Sequence, residues 1–278
     1  MPRRLRLDAE LVRRGLARSR EHANELVAAG RVKVAGALAT KPATGVTTDV
    51  ALLVLDDPDR PDYVSRGGHK LAGALAAFVP LGLCVDGRRC LDAGASTGGF
   101  TDVLLRNGAR EVVAVDVGYG QLAWSLRQDE RVVVHDRTNI RDLTPDLVGG
   151  MVDLVVGDLS FISLGLVLDA LLGVTAEDGD LALMVKPQFE VGKDRVGKGG
   201  VVRDLALRTE AVVAVADAAA AQGWGARAVA TSPLPGPSGN VEFFLWLRRG
   251  APAIGAEEIG AEVRRTSAVG APGERVEP

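Results

Sequence analysis

The sequence predicts an α/β fold of the doubly wound kind for most of the chain, with a small α+β module ahead of it. Three observations point there. Short runs of valine, leucine and alanine end in an acid or a lysine, as at Asp116, Asp158 and Lys186; buried parallel strands read this way, and their carboxyl ends deliver chemistry to one crevice. Helical patterns such as Phe100, Val103 and Leu104 lie between these runs. Basic residues crowd the front: residues 1 to 41 hold ten Lys and Arg against four Asp and Glu, a net of +6, while the remainder carries −9.

A chain of 278 residues accommodates one large α/β domain and a module of roughly 60 residues. With 25% charged residues and 4% aromatics it reads as globular. No stretch reaches the roughly 18 uncharged apolar residues of a membrane span; the apolar run from Leu159 to Leu168 lies between Asp158 and Asp169. No membrane role is expected. The arginines before residue 20 alternate with Asp8 and Glu10 and precede no apolar core of a secretion signal, so a cytoplasmic location is expected. Cys84 and Cys90 fit neither a disulfide framework nor a zinc pattern. A basic module on an acidic body favours a polyanionic partner.

In the front module Leu7, Leu11, Val12 and Leu16, then Ala23, Leu26 and Val27, recur at helical spacing, with breaks at Gly15 and Gly30. Two short helices follow, the second with Ser19 as N-cap and Gly30 as a left-handed C-terminal cap. Val32 and Val34, alternating with Arg31 and Lys33, and later Leu52 and Val54, predict a small sheet. Residues 56 to 62, acidic and proline-rich, read as a linker. Beyond it, Gly67-Gly68 precedes a helix carrying Leu71, Ala74, Leu75 and Phe78. Lys70 falls in that helix's first turn, where the helix dipole disfavours a cation, which marks it for function.

The strand ending at Leu91-Asp92 joins the helix at Phe100 through the small residues Gly94, Ala95, Ser96, Thr97 and Gly98. Such a turn lets a ligand approach free backbone amides. The next strand ends at Asp116, 22 residues after Gly94, where doubly wound folds bind ribose hydroxyls. A third strand leads to Asp136 and Asn139. These features resemble the Rossmann-like S-adenosylmethionine methyltransferases. The resemblance implies S-adenosylmethionine as cofactor, held by Asp92 and Phe100 around the turn, with Gly94 to Gly98 on the methionine portion, Asp116 on the ribose, and Asp136 or Asn139 on the adenine.

Two further strands end at Asp158 and Lys186, and a last strand over 241–247 carries Glu242 at its start. Together with Lys70 they form a lysine, aspartate, lysine, glutamate set, which resembles the tetrad of FtsJ-type RNA ribose 2′-O-methyltransferases. The front module, through Arg6-Leu7-Asp8, Arg18-Ser19-Arg20 and Gly30-Arg31-Val32-Lys33-Val34, resembles the αL RNA-binding domain of ribosomal-protein-S-four type. That likeness implies phosphate contacts from Arg6, Arg18, Arg20, Arg31 and Lys33. Over residues 3 to 248 the chain resembles the TlyA family, through segments that include Ser-Arg-Gly-Gly-His before Lys70 and Pro-Gln-Phe-Glu after Lys186. The family resemblance implies cytidine 2′-O-methylation in 16S or 23S ribosomal RNA, with ribosomal RNA or subunits as partner and no metal. It leaves open which tetrad member takes the proton. A ribosome-assembly factor without turnover and a membrane-active haemolysin are the alternatives. The expected organisation is an RNA-binding module over 1–58, a linker over 59–66, the methyltransferase domain over 67–250, and a disordered tail over 251–278.

Overall fold

Alternating strand and helix patterns build a seven-stranded sheet in the computed structural model, which describes residues 4–55, 57, 61–236 and 238–269. The chain divides into two compact units, residues 1–64 and 65–278.

The first unit runs β1 (Leu5–Arg6), α1 (Leu7–Arg13), α2 (Arg20–Ala28), β2 (Val32–Val34), β3 (Ala37–Leu38), β4 (Gly45–Val46) and β5 (Leu52–Val54). Leu7, Leu11, Ala23, Leu26, Val27 and Val32 form its core, the residues whose spacing predicts the helices. Ser19 caps α2 by accepting from the His22 amide at 3.1 Å. Gly30 turns the chain at φ 68°, its amide donating to the Val27 carbonyl, and β2 then pairs antiparallel with β3 and β5. Asp62 and Tyr63 are tied to this unit: Asp62 meets His22 and Arg31, and the Tyr63 carbonyl accepts from Arg18. The expected linker therefore begins to dock before residue 64; its residues 56 and 58–60 lie outside the described ones.

The second unit begins with α3 (Gly67–Phe78) and continues β6 (Arg89–Ala93), α4 (Gly99–Arg106), β7 (Glu111–Val115), α5 (Trp124–Arg127), β8 (Val132–His135), α6 (Pro145–Val148), β9 (Val152–Gly157), α7 (Leu168–Val174), β10 (Thr175–Val185), α8 (Pro187–Glu190), α9 (Leu205–Ala220), β11 (Trp224–Thr231), β12 (Phe243–Arg249) and α10 (Ala256–Val269). The sheet order is β11-β12-β10-β9-β6-β7-β8. The pairs β10–β9, β9–β6, β6–β7 and β7–β8 are parallel, whereas β12 is antiparallel to both its neighbours. Helices cover both faces, so the central strands are apolar throughout rather than alternating.

The tail corrects one expectation. Residues 256–269 form a helix, and Ile259 and Val263 are buried in the main core beside α9 and β11. Their spacing of four residues is a helical signal that the surrounding Ala, Gly and Glu hide. Residues 270–278 lie outside the described ones. Among the described residues, no helix is long and apolar enough to cross a membrane.

Candidate active site

Strand direction and register bring the tetrad together. Parallel pairing of β9 with β10 puts Asp158 and Lys186, the residues that follow these strands, at one edge of the sheet. Antiparallel β12 pairs Phe243 with Val185, so Glu242, one residue before β12, arrives at the same edge. Helix α3 supplies Lys70. The Lys70 Nζ donates to Glu242 Oε2 at 2.6 Å, lies 3.6 Å from Asp158 Oδ2, and has Met184 Sδ at 3.7 Å. The Lys186 Nζ lies 2.5 Å from Asp158 Oδ1 and donates to Ser160 Oγ at 2.7 Å. Lys70, Lys186 and Glu242 are buried and Asp158 is half-buried. Two cations are thus neutralised by two carboxylates, without which burial of so much charge would be prohibitive.

The sheet edge opens into a crevice with two chambers. One, of about 350 Å³, is lined by Lys70, Asp158, Lys186, Phe100 and the turn from Gly94 to Thr97. The other, of about 530 Å³, is lined by Asp116, Asn139, Ile140 and the loop from Asp158 to Ile162. Gly94, Ser96, Asp158 and Ser160 line both. Gly94, at φ 80°, passes so close under the next loop that a Cβ would stand 3.0 Å from the Leu159 side chain. The Asp116 carboxylate accepts from the amides of Ser96 at 2.8 Å and Gly118 at 2.7 Å, which fixes it at the rim.

The remaining candidates divide. Asp92 is buried beneath the turn; Oδ2 accepts from Thr101 Oγ1 at 2.7 Å while Oδ1 has no hydrogen-bond partner. Burial pushes its carboxyl up to about 7, against the Thr101 hydrogen bond, which lowers it. Gly98 caps α4 at φ 96° outside both chambers; a side chain there would strike Leu126 and Leu122 rather than a ligand. Asp136 is likewise outside them, because its carboxylate is held by Arg127 at 2.8 Å and by the Gly120 amide. The Arg127 hydrogen bond keeps that carboxyl below the usual range. Of the two adenine candidates, only Asn139 faces the crevice, its side chain accepting from the Arg141 amide.

Several residues at the site escaped the sequence reading. Ser160 stands two residues past Asp158. Gly99 lets α4 abut the start of α3: a Cβ there would meet Ser65 Oγ and, at 2.7 Å, the Gly68 nitrogen. Gly236 allows its loop to close over Glu242, whose Oε1 would lie 2.5 Å from an added Cβ. Glycine content signals close approach in general, but not which partner is approached.

In the first unit, the basic candidates are partly engaged internally. Asp8, buried, takes Arg6 at 2.9 Å and Arg20 at 3.0 Å; the Arg6 hydrogen bond leads in bringing its carboxyl down to about 2. Arg6 and Arg20 remain 53% and 61% exposed, and Arg18 is exposed as well. Arg31 is different: only 12% exposed, it pairs with Asp62 at 2.7 Å and donates to the Leu55 carbonyl. Its guanidinium is engaged in bracing the unit. Lys33 is half-buried on β2.

Residues 63–249 match the FtsJ-like methyltransferase family, and residues 5–50 match the S4 domain. Fold and site therefore define a methyltransferase domain behind an S4 domain. A relative from Mycobacterium tuberculosis (strain H37Rv), 16S/23S rRNA (cytidine-2'-O)-methyltransferase TlyA, is 64% identical over 248 residues, 89% of this chain and 91% of that protein. The chain belongs to the TlyA family of FtsJ-like methyltransferases. Hemolysin A of Brachyspira hyodysenteriae is 35% identical over 241 residues, 86% of this chain and 98% of that protein. A solved structure from Streptococcus thermophilus that carries a haemolysin name superposes with a TM-score of 0.71 at 36% identity, covering 96% of this chain and 97% of its own.

Proposed function

We propose that this chain transfers a methyl group from S-adenosylmethionine to the ribose 2′-hydroxyl of cytidine in 16S or 23S ribosomal RNA. The observation that carries the reading is the tetrad: Lys70 and Lys186 share Asp158 at one end of the crevice, with Glu242 behind Lys70. The TlyA relative at 64% identity supports the substrate.

The crevice fits the cofactor. Its chambers are within the range of ordinary small-ligand sites, about 300–1,000 Å³. Asp116 at the rim suits a ribose diol, the second chamber with Asn139 and Ile140 suits adenine, and the turn from Gly94 to Thr97 suits the amino-acid end. When bound, S-adenosylmethionine supplies a methyl on positively charged sulfur, already activated for transfer. The protein has two remaining tasks, to align the hydroxyl and to take up its proton. Lys186, having first given up its ammonium proton to solvent, receives the hydroxyl's proton at Nζ as the oxygen–methyl bond forms, and Asp158 stabilises the ammonium that is restored. Lys70, anchored on Glu242, holds the other oxygen of Asp158 in place. Exposed Arg6, Arg18 and Arg20 grip RNA phosphates, which positions the substrate without reading its bases.

The test is chemical. Purified protein, ribosomal subunits and labelled cofactor are incubated, and the RNA is digested to nucleosides. Label on the ribose of cytidine is expected; label on a base, or none, overturns the proposal.

A further inference from the structure

The two lysines of the tetrad are not equivalent. Each amine has three tetrahedral positions besides its carbon. Lys70 donates to Glu242 Oε2 and to Met184 Sδ, with Asp158 Oδ2 at 3.6 Å. Lys186 donates to Ser160 Oγ and has Asp158 Oδ1 at 2.5 Å as its ion-pair partner, and these are its partners among the described residues. Ser160 lines both chambers.

We infer that Ser160 is a positioning residue for the methyl transfer, holding Lys186 so that the amine's lone pair faces the reacting hydroxyl. The inference rests on the reaction proposed above. A neutral amine has two hydrogens. With one donated to Ser160 Oγ and Asp158 Oδ1 standing 2.5 Å from the nitrogen, the lone pair is left to the chamber that Lys186 lines. Without Ser160 the amine rotates about its last carbon bond, since Asp158 alone fixes only one direction. Once Lys186 is protonated, the new N–H stands where the lone pair was, and the hydrogen bond to Ser160 and the ion pair with Asp158 persist.

The loop that carries Ser160 is itself held. Phe161 adopts φ 64°, a left-handed conformation that non-glycine residues rarely hold without support. Glu190 secures the far side of that turn, accepting from Ser163 Oγ at 2.6 Å and from the Leu164 amide at 2.9 Å. The Phe161 ring, 91% exposed, has Phe189 at 5.4 Å. Both Glu190 and Phe189 follow Lys186 directly on α8, so the segment bearing the amine and the loop bearing its hydroxyl partner are cross-tied.

The experiment is a double-mutant cycle read by single-turnover methyl transfer to ribosomal subunits. Ser160→Ala should lower the rate roughly 10- to 100-fold, the order expected of a misaligned reacting group, with KM for RNA and cofactor affinity unchanged. Ser160→Thr, which keeps the hydroxyl, should restore most of it. In a Lys186→Ala background, Ser160→Ala should change the residual rate by less than about twofold, because a residue acting through Lys186 has nothing left to position. A Ser160→Ala chain as fast as wild type overturns the inference, and so does a loss that is equally large with and without Lys186. Nucleoside digestion of the wild-type product runs alongside: a methylated base there overturns the reaction itself, whereas a methylated ribose with indifferent Ser160 overturns only the positioning role.

Discussion

Asp92→Asn tests whether the cofactor turn is built at the expense of stability. Asp92 is fully buried, and burial lifts its carboxyl from an ordinary 3.8 to about 7, with the charges of Asp158 and Asp116 adding to the rise. Below its ordinary value the carboxyl is protonated in folded and unfolded chains alike. As pH rises the unfolded chain releases the proton first, so folding loses stability until the folded group also ionises near 7. At about 1.36 kcal/mol per unit the full loss is about 4 kcal/mol, of which about 3 kcal/mol falls between pH 5 and 8. Asparagine keeps an oxygen for the Thr101 hydroxyl and does not titrate. Guanidinium unfolding followed by tryptophan fluorescence isolates the right unit, since Trp124, Trp224 and Trp246 all belong to residues 65–278. The stability of Asp92→Asn relative to wild type should therefore increase by about 3 kcal/mol from pH 5 to pH 8. Other titrating groups cancel in that difference. A difference that is the same at both pH values refutes the reasoning.

Lys186→Ala should reduce methyl transfer by roughly 10²- to 10⁴-fold, as expected for a lost general base, with RNA and cofactor affinity little altered; weakened binding as the main effect would contradict its role. Asp116→Ala should impair cofactor binding in a folded protein, and unchanged affinity by calorimetry would place the ribose elsewhere. Gly98→Val should act on the fold, costing about 2–4 kcal/mol through a strained φ and overpacking against Leu122 and Leu126; a variant as stable as wild type in the fluorescence assay would be contrary. Replacing Arg6 and Arg20 by alanine should weaken RNA binding and flatten its salt dependence by roughly one unit of log slope for each phosphate no longer neutralised, while Arg31→Ala should chiefly lower the melting temperature of the first unit.

The strands were legible in the sequence because parallel strands buried on both faces cannot be mistaken for amphipathic ones, and each ended in a residue too polar for its surroundings. That pattern identified Asp158, Lys186 and Asp116 directly. Lys70 was legible as a cation at the wrong end of a helix, a position that the structure explains by Glu242 and Asp158. What could not be read was which way a polar side chain turns. Asp136 and Asn139 lie three residues apart after the same strand, yet Arg127, nine residues before Asp136, draws the acid away from the crevice. Arg31 and Arg20 carry the same charge in the same module, and only burial against Asp62 separates a brace from an exposed cation. Helix α10 was missed for a related reason: two buried residues four apart make a weak pattern unless the surface receiving them is known.

The unequal environments of the two lysines follow from the elements that deliver them. Lys70 comes from within a helix, so its amine enters the protein from the side and finds Glu242, brought alongside by the antiparallel strand β12. Lys186 terminates a parallel strand, so its amine lies at the crevice, beside the loop that leaves the neighbouring strand β9. Asp158 joins them because it ends β9 and offers one oxygen to each. The direction of β12 is therefore part of the chemistry. Were it parallel, its start would lie at the far edge of the sheet, Lys70 would lack Glu242, and Asp158 would have to serve two buried cations alone. A single carboxylate cannot neutralise both, so the antiparallel strand is what lets both lysines stay paired at the crevice they line.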